Sequence, residues 1–475
     1  MREQTGPDAP RPAIVVDAGD LLAPYANLLA GDKEQRRMKA ELILETLAKT
    51  RIDALTVGRP DFAFGVDFLV RSARAWGLPY VCANLRDRES GELIFPASTL
   101  LQAGSLRVGV LGIVGTGFIA PGLEVVDPIS AAREAVDDLR TRGADLVVAL
   151  ANQSAPDNDR LARKVKGIDI IVAGSSHRKL DPPLVEADTL ILEPGSKGKY
   201  LGVLELYLHE GAHGFTDMQE RRRKQERAER FRHRITAVQA RLKETTDPRE
   251  QRRLQHRLDL FEKAIREAEA EEAQPDGTHR FINRIVPLAR TIPDDPEVAR
   301  LVNAALQRMS RATRGTVGES GTTASPSPFV GADACADCHE LEYAQWKETP
   351  HAGAYQALEA RHRQLDYQCF GCHVTGHDQP GGPSSPLSVG FLRDVQCEAC
   401  HGPRKAHVEA SGKTQPPPPV DEALCRRCHT EEQTRGQFDF VTYLPRVDHS
   451  SARRAGTPTI APEVSPASPG QGSVP

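Results

Sequence analysis

The sequence predicts a multidomain chain: a layered α/β domain carrying an inserted antiparallel helical hairpin, then a small, mostly helical and irregular domain. Three observations predict it. Between residues 12 and 210, short β-branched runs alternate with amphipathic stretches, the pattern of a layered sheet with helices. From 217 to 272 the chain becomes highly charged, with apolar residues in alternating steps of four and three. Between 335 and 429, four copies of Cys-x-x-Cys-His consume eight of the nine cysteines in 475 residues.

Strands are predicted over 13–17, 54–57, 80–83, 106–114, 145–150, 169–173, 190–193 and 200–207, where aliphatic residues run together between turn-forming clusters. Helical periodicity covers 33–50, 66–76, 129–142 and 157–165. In the charged region, Phe231, Ile235, Val238 and Leu242 form one apolar seam and Leu254, Leu258, Phe261, Ile265 and Ala268 its partner. Between the seams, Asp247 is placed as an N-cap, Pro248 at the first helical position and Glu250 as the closing member of a capping box. The hairpin is thus expected between a strand ending near His209 and another over 280–288. Its run Arg221, Arg222, Arg223, Lys224 is followed at once by acidic residues, and the chain has net charge −4. That argues for a solvated helix face and against nucleic acid, with a partner-docking arm as the lesser reading.

A helix over 294–311 precedes a Gly-, Ser-, Thr- and Pro-rich linker, and a Pro- and Ser-rich tail closes the chain. The expected domains are 1–215 with 276–312, the hairpin at 216–275, the linker at 313–328, the second domain at 329–450 and a disordered tail at 451–475. No run approaches about 18 apolar residues, so no transmembrane segment is expected. Cys82, the odd cysteine, falls in a predicted strand as a buried thiol.

The pentads are Cys335 to His339, Cys369 to His373, Cys397 to His401 and Cys425 to His429. In such a pentad the two thiols add across the vinyl groups of a haem, and the histidine ligates its iron. Paired Cys-x-x-Cys units also build zinc ribbons, but a ribbon needs no histidine after every second cysteine, and here all four have one. Four c-type haems are therefore expected, attached through Cys335, Cys338, Cys369, Cys372, Cys397, Cys400, Cys425 and Cys428, with His339, His373, His401 and His429 as proximal ligands. About 30 residues per haem cannot shelter each one separately, so the haems pack on one another, and electron transfer is the expected function. Candidates for the second axial position are His351, His407, His449 and His377, with His362 as a further histidine. A second histidine makes an electron-transfer centre, whereas an open position admits substrate. Which histidine serves which iron is not readable from spacing.

The run Cys335 to His339, Tyr343, Trp346, Thr349 to Ala352, Cys372 to Gly376, and Cys397 to Pro403 with His407 resembles the tetrahaem cytochrome family of the nitrifiers' hydroxylamine-oxidation carrier. The resemblance implies mostly bis-histidine haems stacked in pairs, with one iron sometimes five-coordinate, and distal ligands at His351, His407 and, more loosely, His449. It implies redox protein partners, an electron donor and an acceptor, in a complex that can be membrane-associated.

The N-terminal region resembles the calcineurin-like metallophosphatase fold of 5′-nucleotidases and UDP-sugar hydrolases. Val16 to Asp20 matches its Asp-Ala-Gly-Asp, Ala54 to Gly65 its Gly-Asn-His-Glu loop, and Gly167 to His177 its Gly-Ile-Asp to Gly-His-x-His segment. The family's metal-ligand Asn falls on Arg59, its transition-state His on Pro60, and two further His positions on Asn152 and Ser175; only Asp20 and His177 match. Arg59 would place positive charge where a cation belongs, so a divalent metal is not expected and the domain reads as a platform. The alternatives are a haem redox enzyme acting on a small nitrogen or sulfur compound, and a metal-dependent 5′-nucleotidase-type phosphoesterase joined to a cytochrome. The family's first strand and a secretory signal are both missing before Pro12, although haem attachment takes place outside the cytoplasm. A start placed inside a longer reading frame, and an extracytoplasmic, periplasmic location, are the expectation.

Overall fold

The computed structural model describes residues 12–24, 33–118, 120–176, 178–209, 211–269, 277–289, 291–315, 327–414, 416–417, 419–434 and 437–449. His177, most of the expected linker and the whole tail lie outside the described residues. The chain divides into two compact units, 1–29 with 39–295, and 30–38 with 296–475.

In the first unit, β1 (Val16–Asp17) is followed by α1 (Lys33–Lys49), whose opening residues group with the second unit, and by β2 (Ala54–Leu55) and α2 (Val66–Trp76). Next come β3 (Leu85–Asp87), β4 (Ser98–Ala103), β5 (Leu106–Val114), β6 (Leu123–Val125), α3 (Pro128–Thr141), β7 (Leu146–Asn152) and α4 (Ala155–Lys164). The unit continues through β8 (Ile170–Ala173), β9 (Leu184–Glu186), β10 (Thr189–Leu192), β11 (Tyr200–Tyr207) and β12 (Phe215–Asp217). Helices α5 (Glu220–Glu244) and α6 (Pro248–Glu269) then lead to β13 (His279–Pro287).

Six strands form the main sheet in the order β4-β5-β7-β8-β10-β9, and β11-β13-β12 form a second sheet. Strand alternation explains the layering. On β5, Leu111 and Ile113 pack with Ala132, Val136 and Leu139 of α3 and Leu161 of α4. Val108 and Val110 point the other way, to Phe215 and Phe281 of the second sheet. Gly109 lies on the helix side because a Cβ there would meet Leu139 at 2.9 Å.

Segment 80–83, expected as a strand, is instead a connector. On one side Val81 N–H donates to the Leu55 carbonyl at 2.8 Å and Leu55 N–H to the Pro79 carbonyl at 3.1 Å, and on the other Ala83 N–H donates to the Gly112 carbonyl at 2.8 Å, a bridge on one flank, a hydrogen bond on the other and no continuous ladder. Gly112 is required there, because a Cβ would strike the Val81 carbonyl. Strands β3, β4, β6, β9 and β12 were not expected. Most have three residues, and β4 has no cleanly buried face to announce it.

The hairpin helices leave β12 and return at β13. Val238, Leu254 and Leu258 form its buried core, and Phe231 stacks on Phe261 at 4.9 Å. Asp247 caps α6 through Arg249 N–H at 2.9 Å. Glu250 does not complete the capping box: it accepts Thr245 Oγ1–H at 2.9 Å and pairs with Arg241.

The second unit opens with α7 (Pro296–Gly315), which was expected to belong with the first domain. Within the unit, the Gln35 amide donates to Thr313 Oγ1 at 2.6 Å and to the Leu365 carbonyl. After α7 the described residues form short helices and turns around a small core of Tyr355, Phe370, Val374 and Val389. Among the described residues no helix is long and apolar enough to cross a membrane.

Candidate functional site

In the second unit, two pentads show how a helical turn aims its histidine. His339 N–H donates to the Cys335 carbonyl and His429 N–H to the Cys425 carbonyl, both at 2.9 Å. Around the pentads the loops are pinned by Trp346 Nε1–H on the Val395 carbonyl (2.9 Å), Thr375 Oγ1–H on the Asp394 carbonyl (2.9 Å) and Tyr355 N–H on Asp394 Oδ1 (2.7 Å).

Three of the four pentad histidines meet another imidazole. His339 faces His407 with ring centroids 6.2 Å apart, His429 faces His351 at 6.1 Å, and His401 faces His449 at 5.6 Å. An imidazole nitrogen bonds a transition-metal ion at about 2 Å, so two ligands on one ion stand about 3–4 Å apart, nitrogen to nitrogen. In the tightest pair the two Nε2 atoms are 3.4 Å apart. That pair stands at the spacing of two ligands on one ion. Burial first, and then the facing ring, holds His351 and His401 below the usual histidine range, and burial alone does so for His429. Neutral rings are what iron ligation requires. Thr414 Oγ1 contacts His407 Nδ1 at 2.9 Å, which leaves Nε2 of that ring to ligate.

His373 is placed differently. Its Nδ1 sits 2.5 Å from the Ala354 carbonyl, so Nε2 is again the free ligand atom, but His377 is not brought opposite it. Instead His377 packs on Phe370 at 4.5 Å, with Nδ1 3.1 Å from the Pro383 carbonyl and Nε2 3.3 Å from Asp378. Both its ring nitrogens are engaged. His362 is exposed, with a positive φ of 55°.

The thiols of different pentads also come together. Cys335 lies within hydrogen-bonding reach of Cys397, and Cys372 of Cys428. The first pentad therefore neighbours the third, and the second neighbours the fourth.

In the first unit, the carboxyl ends of β1, β2, β7 and β8 converge, as the ends of parallel strands do at sites in layered folds. Asn152 Nδ2–H donates to the Ala18 carbonyl at 2.9 Å, and Gly58 leaves room for the Asp20 carboxylate beside it. Asp61 is the residue that sequence reasoning missed. Fully buried, it accepts the N–H groups of Gly58 (2.8 Å), Asp20 (3.0 Å), Leu21 (2.8 Å) and Leu22 (2.9 Å). Burial pushes its carboxyl up to about 7 and that of Asp17 up to about 6. Among the described residues no three His, Cys, Asp or Glu side chains gather as a metal ion requires.

A family profile for "Cytochrome c554 and c-prime" matches residues 334–402. The cytochrome c-554 of Nitrosomonas europaea is 31% identical over 170 residues, covering 28% of this chain and 72% of that protein. The chain belongs to the cytochrome c-554 family. Its cytochrome c-554 region is C-terminal, and c-type haem comes with it.

The N-terminal region is similar to 5′-nucleotidases and calcineurin-like phosphoesterases. The trifunctional nucleotide phosphoesterase YfkN of Bacillus subtilis is 29% identical over 239 residues, 41% of this chain. A solved structure of YfkN aligns at 18% identity and TM-score 0.41, over 63% of this chain and 85% of that one. The mouse 5′-nucleotidase is 31% identical over 184 residues, 32% of each protein. The chain spans only 16% of the YfkN sequence and 32% of the mouse enzyme.

Proposed function

We propose that the protein is an extracytoplasmic multihaem electron carrier whose N-terminal domain is an inactive metallophosphatase-like platform. The observation that carries the proposal is the facing of three pentad histidines by three other imidazoles, one pair of them at iron-ligating spacing. The eight pentad cysteines would hold four haems, with His339 and His407, His429 and His351, and His401 and His449 as the histidine pairs that would ligate three irons and His373 alone for the fourth. When bound, a haem iron between two imidazoles exchanges one electron without opening a coordination site. The chain's own contribution is to fix the ring pairs, keep them neutral and set pentads one and three, and two and four, side by side. Electrons pass to and from redox protein partners, a donor and an acceptor.

The platform reading rests on Arg59 and Asn152 standing where ligands are needed and on Pro60 standing where a transition-state histidine is. A second reading, a redox enzyme acting on a small nitrogen or sulfur compound, is favoured by one observation: His377 is turned away from His373.

Haem per polypeptide by pyridine haemochrome, with spin states by electron paramagnetic resonance, tests the proposal. Four haems, three low-spin and one high-spin, are expected. Zinc in place of haem sinks it, and four low-spin centres remove the single-ligand assignment. Phosphoesterase turnover with two bound divalent ions would overturn the platform reading.

A further inference from the structure

Glu398 is an unusual occupant of a pentad's variable position. It is 0% exposed, although glutamate is almost never fully buried without partners. Its carboxylate meets N–H donors: Oε2 accepts from Val330 (3.0 Å) and Gly331 (2.8 Å), and Oε1 from Arg404 (2.7 Å) and, more weakly, Val330 (3.2 Å). Every one of these partners donates and the carboxylate only accepts, so both of its oxygens are used as acceptors. The Arg404 guanidinium itself turns to the His401 carbonyl, with Nε at 3.0 Å.

Two residues before it, Gln396 Oε1 accepts Ala332 N–H at 2.6 Å, while its Nε2 is tied to the carbonyls of Phe391 (2.8 Å) and Arg393 (2.6 Å). Three successive N–H groups, those of Val330, Gly331 and Ala332, therefore land on the side chains of 396 and 398. This is the stretch that leads straight into Cys335. Gly331 also lends its carbonyl to Cys335 Sγ at 3.8 Å. Glu398 thus sits at the joint between the first and third pentads, next to Cys397 in sequence and one contact from Cys335.

We propose that Glu398 is a positioning residue that clamps the first pentad to the third and, as a fixed buried anion, lowers the reduction potential of the haems those pentads hold. A ferric centre carries one more positive charge than a ferrous one, so a nearby anion favours the ferric form. With no water around the carboxylate, that preference is weakly screened. The inference rests on the haem reading given under Proposed function.

The test compares Glu398→Gln and Glu398→Asp in the full, haem-loaded chain by spectroelectrochemical titration. Gln removes the charge and Asp keeps it. The expected result is that Gln raises the midpoints of two haems and leaves the other two in place, while Asp stays near wild type despite a lower thermal midpoint. Equal shifts in both variants would mean a packing role alone, and no shift in Gln would remove the charge effect. Either overturns the inference. If the Gln variant cannot be loaded, Asp decides: unchanged midpoints support the charge, and raised midpoints with the charge kept refute it. A wild-type chain without haem is recognised beforehand by its haemochrome spectrum and defeats the pentad reading itself.

Discussion

Removing the Asp61 carboxylate separates two forces that act on it in opposite directions. Four N–H donors favour its ionised form, whereas complete burial disfavours it, and burial prevails, lifting the group from 3.8 to about 7. Between about pH 4 and 7 the folded chain then holds a proton that the unfolded chain has released. The stability contributed is fully present below the unfolded value and is lost as pH rises through the folded one. About three pKa units at about 1.4 kcal/mol each amount to about 4 kcal/mol across the window. Asp17, raised to about 6, tilts the curve the same way. Trp76 in α2 gives the assay, because the only other tryptophan, Trp346, lies among the pentads, where haem would quench it. Denaturant unfolding followed by Trp76 fluorescence from pH 4 to 7 should show falling stability. Asp61→Asn should flatten most of that slope. Wild-type stability that climbs from pH 4 to 7 would show that the four donors win, and the argument from burial would fail.

Further outcomes are expected elsewhere. His407→Ala should convert one low-spin haem to high-spin in the paramagnetic resonance spectrum, whereas His377→Ala should leave the spectrum unchanged; a change with His377 would mean that its ring ligates iron. Asn84→Ala should cost about 3 kcal/mol in the same Trp76 assay, because Asn84 bonds both the N–H (2.9 Å) and the carbonyl (2.8 Å) of buried Val114. Leu258→Ala in the hairpin core should lower thermal stability by about 2–4 kcal/mol with haem content unaltered. A change in haem loading there would mean that the hairpin supports the cytochrome region.

Long periodic elements were legible in the sequence: β5, β11 and α2 begin and end where the pattern of residues said they would. Short edge pieces were not, since three residues of β3 or β9 carry no measurable period. The pentads announced covalent attachment because that chemistry needs fixed local spacing. Axial pairing was hidden for the opposite reason: His351 and His429 are 78 positions apart, and only the folded loops bring them face to face. Asp61 was overlooked because a carboxylate that binds loop N–H groups leaves no spacing signature, whereas the substitutions at Arg59 and Asn152 were visible at once against the family's pattern.

The contacts between thiols of different pentads bear on biogenesis. A chain that closed into this arrangement before its haems were attached would offer Cys335 to Cys397 and Cys372 to Cys428 as ready oxidation partners. A disulfide joining either pair would take one thiol from each of two pentads at once and leave neither able to form both thioether links. Such a chain has to stay reduced until its thioether links are made, because the same sulfur atoms that hold the haems lie close enough to one another to compete for them.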